Sequence, residues 1–177
     1  MTDTRTRILD LAEDLTQTKG FNNFSYLDLA AAIGVKNSSI HYHFKAKKDL
    51  ALALVERLRD AHNEAFKSFE HVYVTPQERI GALINHFKCY IQNNKICMCG
   101  MLAAEFETVS PEVRKALSLY FRDLRTWLAD QFAQMDDPNP KDRALQFLSG
   151  LEGATLLARL ESDPAMIDRT LDVFVKP

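Results

Sequence analysis

The residues from Lys36 to Phe44 place hydrogen-bonding side chains close together in one short polar segment, Lys-Asn-Ser-Ser-Ile-His-Tyr-His-Phe. Side chains of these types and lengths reach base edges and phosphates in DNA. Ile40 and Phe44 are four residues apart, so on a helix both face inward and the polar residues face outward. The segment therefore predicts a DNA recognition helix. Its predicted contacts are Lys36, Asn37, Ser38, Ser39, His41, Tyr42 and His43.

A recognition helix needs a second helix to hold it, and the preceding residues supply one. Ser25 and Asp28 have the spacing of a capping box, which predicts a helix that starts near Tyr26. Gly34 is expected to end this helix. Its apolar residues at helical spacing are Leu27, Ala30 and Ile33.

The connection between the two predicted helices is tight. Only Val35 and Lys36 follow Gly34 before Asn37 or Ser38 offers a side-chain oxygen that can cap the second helix. This spacing is typical of a helix-turn-helix, in which the second helix enters the major groove.

The charge of the chain is distributed unevenly. The formal net charge is -2, yet residues 36–48 contain four lysines and no acidic residue, so the other 164 residues carry -6. A basic patch on an acidic protein is expected when only one end of the molecule touches phosphate. Three further residues complete the predicted DNA contacts: Lys47, which we expect to contact phosphate, and Ser25 and Tyr26.

These motifs resemble the N-terminal domain of TetR-type bacterial transcriptional repressors over about residues 5–50. Ser38 stands where that family usually has Gly or Ala, and His41 where it usually has Tyr, so base preference does not follow from the resemblance. The matching residues are Gly20-Phe21 through Ser25, Leu29-Ala30, Ile33-Gly34-Val35, Ser39 to Phe44 and Lys47 to Leu50.

The rest of the chain also shows helical patterns, and no segment alternates with the period of a strand. A first helix capped by Thr2 or Asp3 is expected to face inward at Ile8, Leu11, Ala12 and Leu15. A fourth helix is expected from Lys47 to about Phe69. Later helices should begin at cap-Pro pairs, which are Thr75-Pro76, Ser110-Pro111, Asn139-Pro140 and Asp163-Pro164.

The predicted fold is all-α with about nine helices. A three-helix helix-turn-helix DNA-binding domain over residues 1–47 is joined to a larger helical domain over residues 48–177, which we expect to bind an effector and to dimerise.

Dimerisation is predicted through the two C-terminal helices, over residues 140–176. One stripe of the first helix and the apolar face of the last offer more apolar surface than one monomer easily covers, and small residues allow close packing. Pairing as a C2 dimer also follows from the resemblance, and it spaces two recognition helices about 34 Å apart on a palindrome. The stripe comprises Leu145, Leu148, Leu151, Thr155 and Ala158, and the last helix adds Ile167, Leu171 and Phe174.

An apolar small-molecule pocket is predicted in the larger domain, where aromatic and flexible side chains are abundant. Core packing is the alternative for each residue singly, and Glu152 fits either the pocket or the subunit interface. The predicted ligand-binding residues are Phe87, Tyr90, Ile91, Met101, Phe106, Phe121, Leu124, Trp127, Phe147 and Glu152.

No enzyme motif is present, and neither a metal site nor a cofactor is expected. Cys97 and Cys99 are interpreted as small apolar packing residues near Met98, with a thiol sensor that uses Cys89 as a resolving partner as the alternative. Without a secretory signal or an apolar run long enough for a membrane span, a cytoplasmic location and no membrane partner are expected.

Taken with the resemblance, these features predict a homodimeric repressor that binds a palindromic DNA operator and is released by an unknown small-molecule effector. Coupling between the two sites is expected through the fourth helix. Two alternatives stay open: a cysteine-based redox or electrophile sensor on the same scaffold, and a helical small-molecule binding protein or enzyme without DNA function.

Overall fold

The computed structural model describes residues 3–175. Within that range the chain forms nine α-helices and one short 3-10 helix at Phe21–Asn23, with no strand, which confirms the all-α prediction. The helices are α1 (Thr4–Lys19), α2 (Tyr26–Ile33), α3 (Asn37–His43), α4 (Lys47–Val72), α5 (Pro76–Gln92), α6 (Met98–Ala104), α7 (Pro111–Gln134), α8 (Pro140–Glu161) and α9 (Ala165–Val175).

The chain divides into two compact units. The first contains Met1–Asp60 together with Met98–Ser118, and the second contains Ala61–Cys97 together with Leu119–Pro177. The expected functional boundary between residues 47 and 48 remains a prediction about activity. Compactness divides the chain differently, because α6 packs with the N-terminal helices rather than with the helices that flank it in sequence.

Local capping fixes where several helices start. The Asp3 carboxylate accepts a hydrogen bond from the Thr6 amide at 2.8 Å and so caps α1, whereas Thr2 lies outside the described residues. The cap-Pro pairs mark the starts of α5, α7 and α8 as predicted. The predicted start of the last helix at Pro164 is one residue too early. α9 begins at Ala165, whose amide donates a hydrogen bond to the Asp163 carboxylate.

The core of the first unit is built from α1, the 3-10 turn and the helices that follow. Phe21 and Phe24 are buried with their rings edge to face at 5.5 Å, as expected for aromatic residues that hold a small domain together. Leu9 is buried on α1, while the predicted core residues Leu11 and Leu15 are half-buried. The apolar face of α1 is therefore rotated slightly from the predicted one.

The core of the second unit contains a cluster of three rings. Phe147 and Phe174 lie edge to face at 5.3 Å, and Phe132 is 6.0 Å from Phe147. Gly150 brings α8 close to α9, because a Cβ atom there would stand 3.5 Å from the side chain of Leu171. These contacts hold α8 and α9 together within one chain.

The prediction that one stripe of α8 is free for dimerisation was wrong for four of its five residues. Leu148, Leu151, Thr155 and Ala158 are covered by the chain itself, as are the three apolar residues predicted on α9. The large apolar side chains that stay exposed on these two helices are Leu145, Leu156, Leu157, Leu160 and Val173. Within residues 3–175, no helix is long and apolar enough to cross a membrane.

Candidate nucleic-acid interface and effector region

The turn between α2 and α3 is set by a capping box and a glycine. The Ser25 hydroxyl accepts a hydrogen bond from the Asp28 amide, and the Asp28 carboxylate accepts one from the Ser25 amide at 2.7 Å, which confirms the predicted start of α2. Gly34 has φ 72° and ψ 41°, the left-handed conformation that lets the chain leave α2 sharply.

The inner face of α3 is anchored by two apolar side chains. Ile40 and Phe44 are buried as predicted, and the Arg5 guanidinium lies 5.3 Å from the centre of the Phe44 ring. The predicted cap at Asn37 or Ser38 was wrong: Lys36 occupies the cap position, and no side chain caps α3. The helix is held by its buried anchors instead.

The outer face of α3 is polar and accessible. Tyr42 is 83% exposed, His41 and Ser38 are exposed, and Ser39 and His43 are half-buried. Tyr42 therefore extends from α3 without a protein surface to cover it, as a residue that contacts DNA would.

A groove of about 400 Å³ adjoins this face. Tyr26 contributes its ring, which lies 5.0 Å from the His41 ring, and burial, with a smaller contribution from Asp49, raises the pKa of Tyr26 to about 12. The hydroxyl of Tyr26 and Oδ1 of Asn37 are both buried and have no hydrogen-bond partner among the described residues. The groove is lined by Phe24, Ser25, Tyr26, Leu27, Asn37, His41, Ala46 and Lys47.

Leu27 was expected on the inner face of α2 but is 65% exposed in this groove. The buried residues of α2 are Leu29 and Ala30 instead. The exposed Leu27 side chain therefore lies beside the predicted DNA contacts.

The Lys47 ammonium is turned toward the protein. It donates hydrogen bonds to the carbonyl oxygens of Phe21 at 2.6 Å and Phe24 at 2.5 Å, and it lies 4.7 Å from the centre of each ring. Desolvation lowers the pKa of Lys47, and the charge of Glu105 opposes that shift. Two of the three N–H groups of the Lys47 ammonium donate to these carbonyls, so only the third can donate to a phosphate.

Two basic residues near the interface were not selected from the sequence. Arg5 is exposed beside Phe44, and the guanidinium of Arg7 donates to the carbonyl of Ile33 at 2.5 Å, near the end of α2. Both precede the basic patch by about thirty residues along the chain, so only the packing of α1 brings them near α2 and α3.

The segment after α6 is bonded to the loop after α1 within the first unit. The Asn22 side chain donates to the Thr108 hydroxyl at 2.7 Å, and its amide lies 3.4 Å from Oε1 of Glu105. Sequence spacing carries no signal for these bonds, because they join residues more than 80 positions apart.

A group of polar side chains lies inside the second unit. The Tyr120 hydroxyl is 3.1 Å from Nδ1 of His62 and 3.9 Å from Sγ of Cys97, and the Cys97 thiol is hydrogen-bonded to the Glu152 carboxylate. The His62 and His86 rings are 5.3 Å apart. We call this group the buried polar cluster; it comprises Glu152, Cys97, Tyr120, His62, His86 and Tyr90.

Burial changes the acidity of the cluster. It lowers the pKa of His62 to about 4, with a further contribution from the charge of His86, and it raises the pKa of Glu152 to about 7 against the opposing hydrogen bond from Cys97. His62 is therefore neutral at pH 7, and Glu152 lies near its own midpoint.

The ten predicted ligand-binding residues divide between the units. Met101 and Phe106 belong to the first unit, where Phe106 is 52% exposed and its ring lies 3.9 Å from the Arg114 guanidinium. The other eight belong to the second unit. Phe87, Leu124 and Phe147 are fully buried, Ile91 and Trp127 are almost so, and Tyr90, Phe121 and Glu152 are half-buried.

Trp127 borders a different feature. Its indole stacks on the Phe66 ring at 4.5 Å and donates to the Glu70 carboxylate at 3.0 Å, beside an open groove of about 600 Å³ between α4 and α7. The Phe66 ring also lies 6.0 Å from the His62 ring, so Phe66 adjoins both Trp127 and the buried polar cluster. Within the part of the chain that the structure describes, no group of three or more His, Cys, Asp or Glu residues could hold a metal ion.

Comparison with known proteins agrees with this geometry. Residues 8–54 match the family model of the bacterial regulatory proteins of the tetR family, and residues 76–172 match the C-terminal domain of LmrA/YxaF-like transcriptional regulators. The chain belongs to the TetR family. It is a transcriptional regulator with a helix-turn-helix DNA-binding domain, as predicted.

Individual regulators are similar over most of the chain. A TetR regulator from Legionella pneumophila is 30% identical with a TM-score of 0.93, and the match covers 98% of this chain and 96% of that one. A TetR-family regulator from Agrobacterium tumefaciens is 27% identical with a TM-score of 0.91, over 97% and 95% of the two chains. An HTH-type transcriptional regulator of Staphylococcus aureus strain USA300 is 23% identical over 160 residues, which are 90% of this chain and 83% of the relative.

Proposed function

We propose that this TetR-family chain is a repressor that binds a palindromic operator as a homodimer and is released by a small-molecule effector. The observation that carries the DNA-binding half is α3, whose buried anchors Ile40 and Phe44 direct the exposed Tyr42 and His41 away from the protein. In this role Asn37 and Ser39 read bases, while Tyr42 and the exposed lysines of the basic patch, Lys36, Lys45 and Lys48, contact phosphate.

The homodimer is supported by an exposed face of α8. Leu145, Leu156 and Leu160 are 50%, 56% and 80% exposed, and the spacing of eleven and four residues places them on one side of the helix. Between them Gly153 has nothing within 4 Å of where a Cβ would stand. Apolar ends around a small-residue centre form a face that a second copy of α8 can cover closely.

Coupling between effector and operator is proposed through α6 rather than through α4 alone. Cys97 belongs to the buried polar cluster of the second unit, and the next residue, Met98, begins α6 in the first unit. Beyond α6, Glu105 and Thr108 contact Asn22. A ligand that displaces Cys97 would therefore move the support of the α1–α2 connection through one short helix.

The cysteine-sensor alternative receives less support. Cys97 and Cys99 are 2% and 0% exposed, so an oxidant or electrophile in solution does not reach their sulfur atoms. Both cysteines are better explained as packing residues. We propose the cytoplasm as the location, where a protein of this function meets DNA.

The test is binding to the DNA upstream of the protein's own gene, measured at several salt concentrations. If the dimer neutralises roughly 6 to 8 phosphates, the slope of log K against log salt is about -5 to -7. Ser39→Ala should change which bases are preferred, whereas Tyr42→Phe should weaken binding to all sequences alike. A slope near zero, or no binding at all, would contradict the proposal and favour a binding protein without DNA function.

A further inference from the structure

Two polar atoms of the buried polar cluster have no hydrogen-bond partner among residues 3–175: Oε1 of Glu152 and Nε2 of His62. Both atoms are inaccessible to solvent, and His62 as a whole is 4% exposed. Buried polar atoms are almost always hydrogen-bonded, because leaving one unpaired costs its full desolvation free energy. Glu152 and His62 each therefore keep one buried hydrogen-bonding position that no side chain or backbone group of the described residues fills.

The charges of the cluster limit what a molecule bound there can be. The other Glu152 oxygen is satisfied by the Cys97 thiol, which carries no charge. The remaining members are histidine and tyrosine side chains, and both histidines have lowered pKa values, so they supply no positive charge at pH 7. An anion would therefore meet a carboxylate without a compensating cation, whereas a cation would neutralise that carboxylate.

The walls of the cluster favour the same class. Tyr120 and Phe87 are fully buried, and the rings of Phe87 and Tyr90 lie edge to face at 5.6 Å. Aromatic faces attract cations. An ammonium group can also donate an N–H hydrogen bond to the unpaired carboxylate oxygen. The neutral imidazole of His62 offers a further hydrogen-bonding position.

We propose that the buried polar cluster is the binding site for a small organic cation, a protonated amine with an apolar body, whose ammonium group pairs with Oε1 of Glu152. The amine site gives the chemical class of the effector, and it rests on the proposed function. Because amine binding is measured without DNA, failure of this site and failure of operator binding are separate results.

The experiment compares three probes of similar size on the full-length protein: benzylammonium, benzyl alcohol and benzoate. The readout is the shift in Tm by circular dichroism at pH 8. Benzylammonium at ten times its Kd should raise Tm by about 3–6 °C. The neutral and anionic probes should leave Tm unchanged at the same concentration.

Two variants assign the effect to Glu152. Glu152→Gln should abolish the shift produced by benzylammonium, since the amide lacks the charge. Glu161→Gln makes the same change at an exposed position of α8 and should preserve it. A shift that survives in Glu152→Gln, an equal shift with benzyl alcohol or benzoate, or no shift with the amine would each overturn the proposal.

A measurement on the unmodified chain keeps the proposal testable if Glu152→Gln does not fold. The amine should bind about tenfold more tightly at pH 8 than at pH 6, because Glu152 must be ionised to pair with it. The other titratable groups of the cluster are Cys97, Tyr120, Tyr90 and the two histidines, and His62 with its pKa of about 4 stays neutral over this range. Affinity that is equal or weaker at pH 8 would overturn the assignment.

Discussion

Oε1 of Glu105 lies 2.8 Å from the point where a Cβ atom would stand on Gly20. Gly20 has φ 92° and ψ 150°, a backbone region almost restricted to glycine. The glycine therefore does two things: it turns the chain out of α1, and it lets the segment after α6 approach the loop that carries Phe21.

The first prediction concerns this glycine. Gly20→Ala should lower the free energy of unfolding by about 1–3 kcal/mol, because the backbone conformation is strained for alanine and the carboxylate must move. Gly81→Ala is the matched control, since Gly81 lies inside α5 with nothing within 4 Å of its Cβ position. That change should stabilise the protein by about 0.5–1 kcal/mol. Urea denaturation measures both, and equal midpoints for the two variants would contradict the prediction.

The second prediction separates two roles for lysines of the basic patch. Lys47→Met should cost about 1–3 kcal/mol of stability, because the carbonyls of Phe21 and Phe24 lose their charged donor. Lys45→Met, at an exposed position, should change stability by less than about 0.5 kcal/mol while weakening DNA binding. Unfolding in urea and a DNA titration at one salt concentration distinguish them. Unchanged stability in Lys47→Met would show that its internal bonds contribute little.

The third prediction concerns the exposed face of α8. Leu156→Glu combined with Leu160→Glu should give a folded monomer and abolish operator binding, because a charged pair cannot be buried between two copies. Val74→Glu, at a position 85% exposed in the loop before α5, should leave the dimer intact. Sedimentation velocity at micromolar concentration measures the outcome. Gly150→Leu and Leu171→Asp, by contrast, should unfold the chain, since both positions pack between α8 and α9.

The fourth prediction is a pair of opposing pH effects in the buried polar cluster. The folded pKa of His62, about 4, is below its ordinary 6.5, so the unfolded chain binds the proton first and stability is lost as pH falls from 6.5 toward 4. The folded pKa of Glu152, about 7, is above its ordinary 4.5, so stability is gained as pH falls from 7 toward 4.5. Each effect amounts to about 3 kcal/mol, and in the native chain they largely cancel.

Single variants should expose each effect. In Glu152→Gln the free energy of unfolding should fall between pH 6.5 and 4.5, whereas in His62→Gln it should rise over the same range. The comparison is made within each variant, so a constant offset from the mutation does not matter. Identical pH profiles for the two variants would show that neither pKa is shifted as described.

The fifth prediction concerns the three cysteines. Cys89 is exposed and should react with a maleimide at neutral pH within minutes, while Cys97 and Cys99 should react only after unfolding because they are buried. Mass spectrometry of the labelled chain before and after denaturation checks this. Fast labelling of Cys97 with loss of operator binding would revive the redox or electrophile sensor.

Local sequence rules predicted the helices well because each rule depends on neighbours within about one turn. Ser25 with Asp28 and Thr75 with Glu78 both form the capping boxes that mark helix starts. The four-residue spacing of Ile40 and Phe44 likewise determined which face of α3 is buried. These local rules predicted the helices and the recognition helix, and the resemblance of the motifs predicted the TetR family.

Tertiary structure decided what depends on distant parts of the chain. Lys47 turns toward carbonyls 23 and 26 residues away, and Tyr120 meets His62 across 58 residues. The exposed face of α8 differs from the predicted one, because α9 packs against α8 within the chain. Periodicity identifies an apolar face but not the surface that covers it, because burial depends on how the helices pack. The sequence by itself therefore determined the helices and the family, while packing determined which side chains are left for DNA, effector and a second subunit.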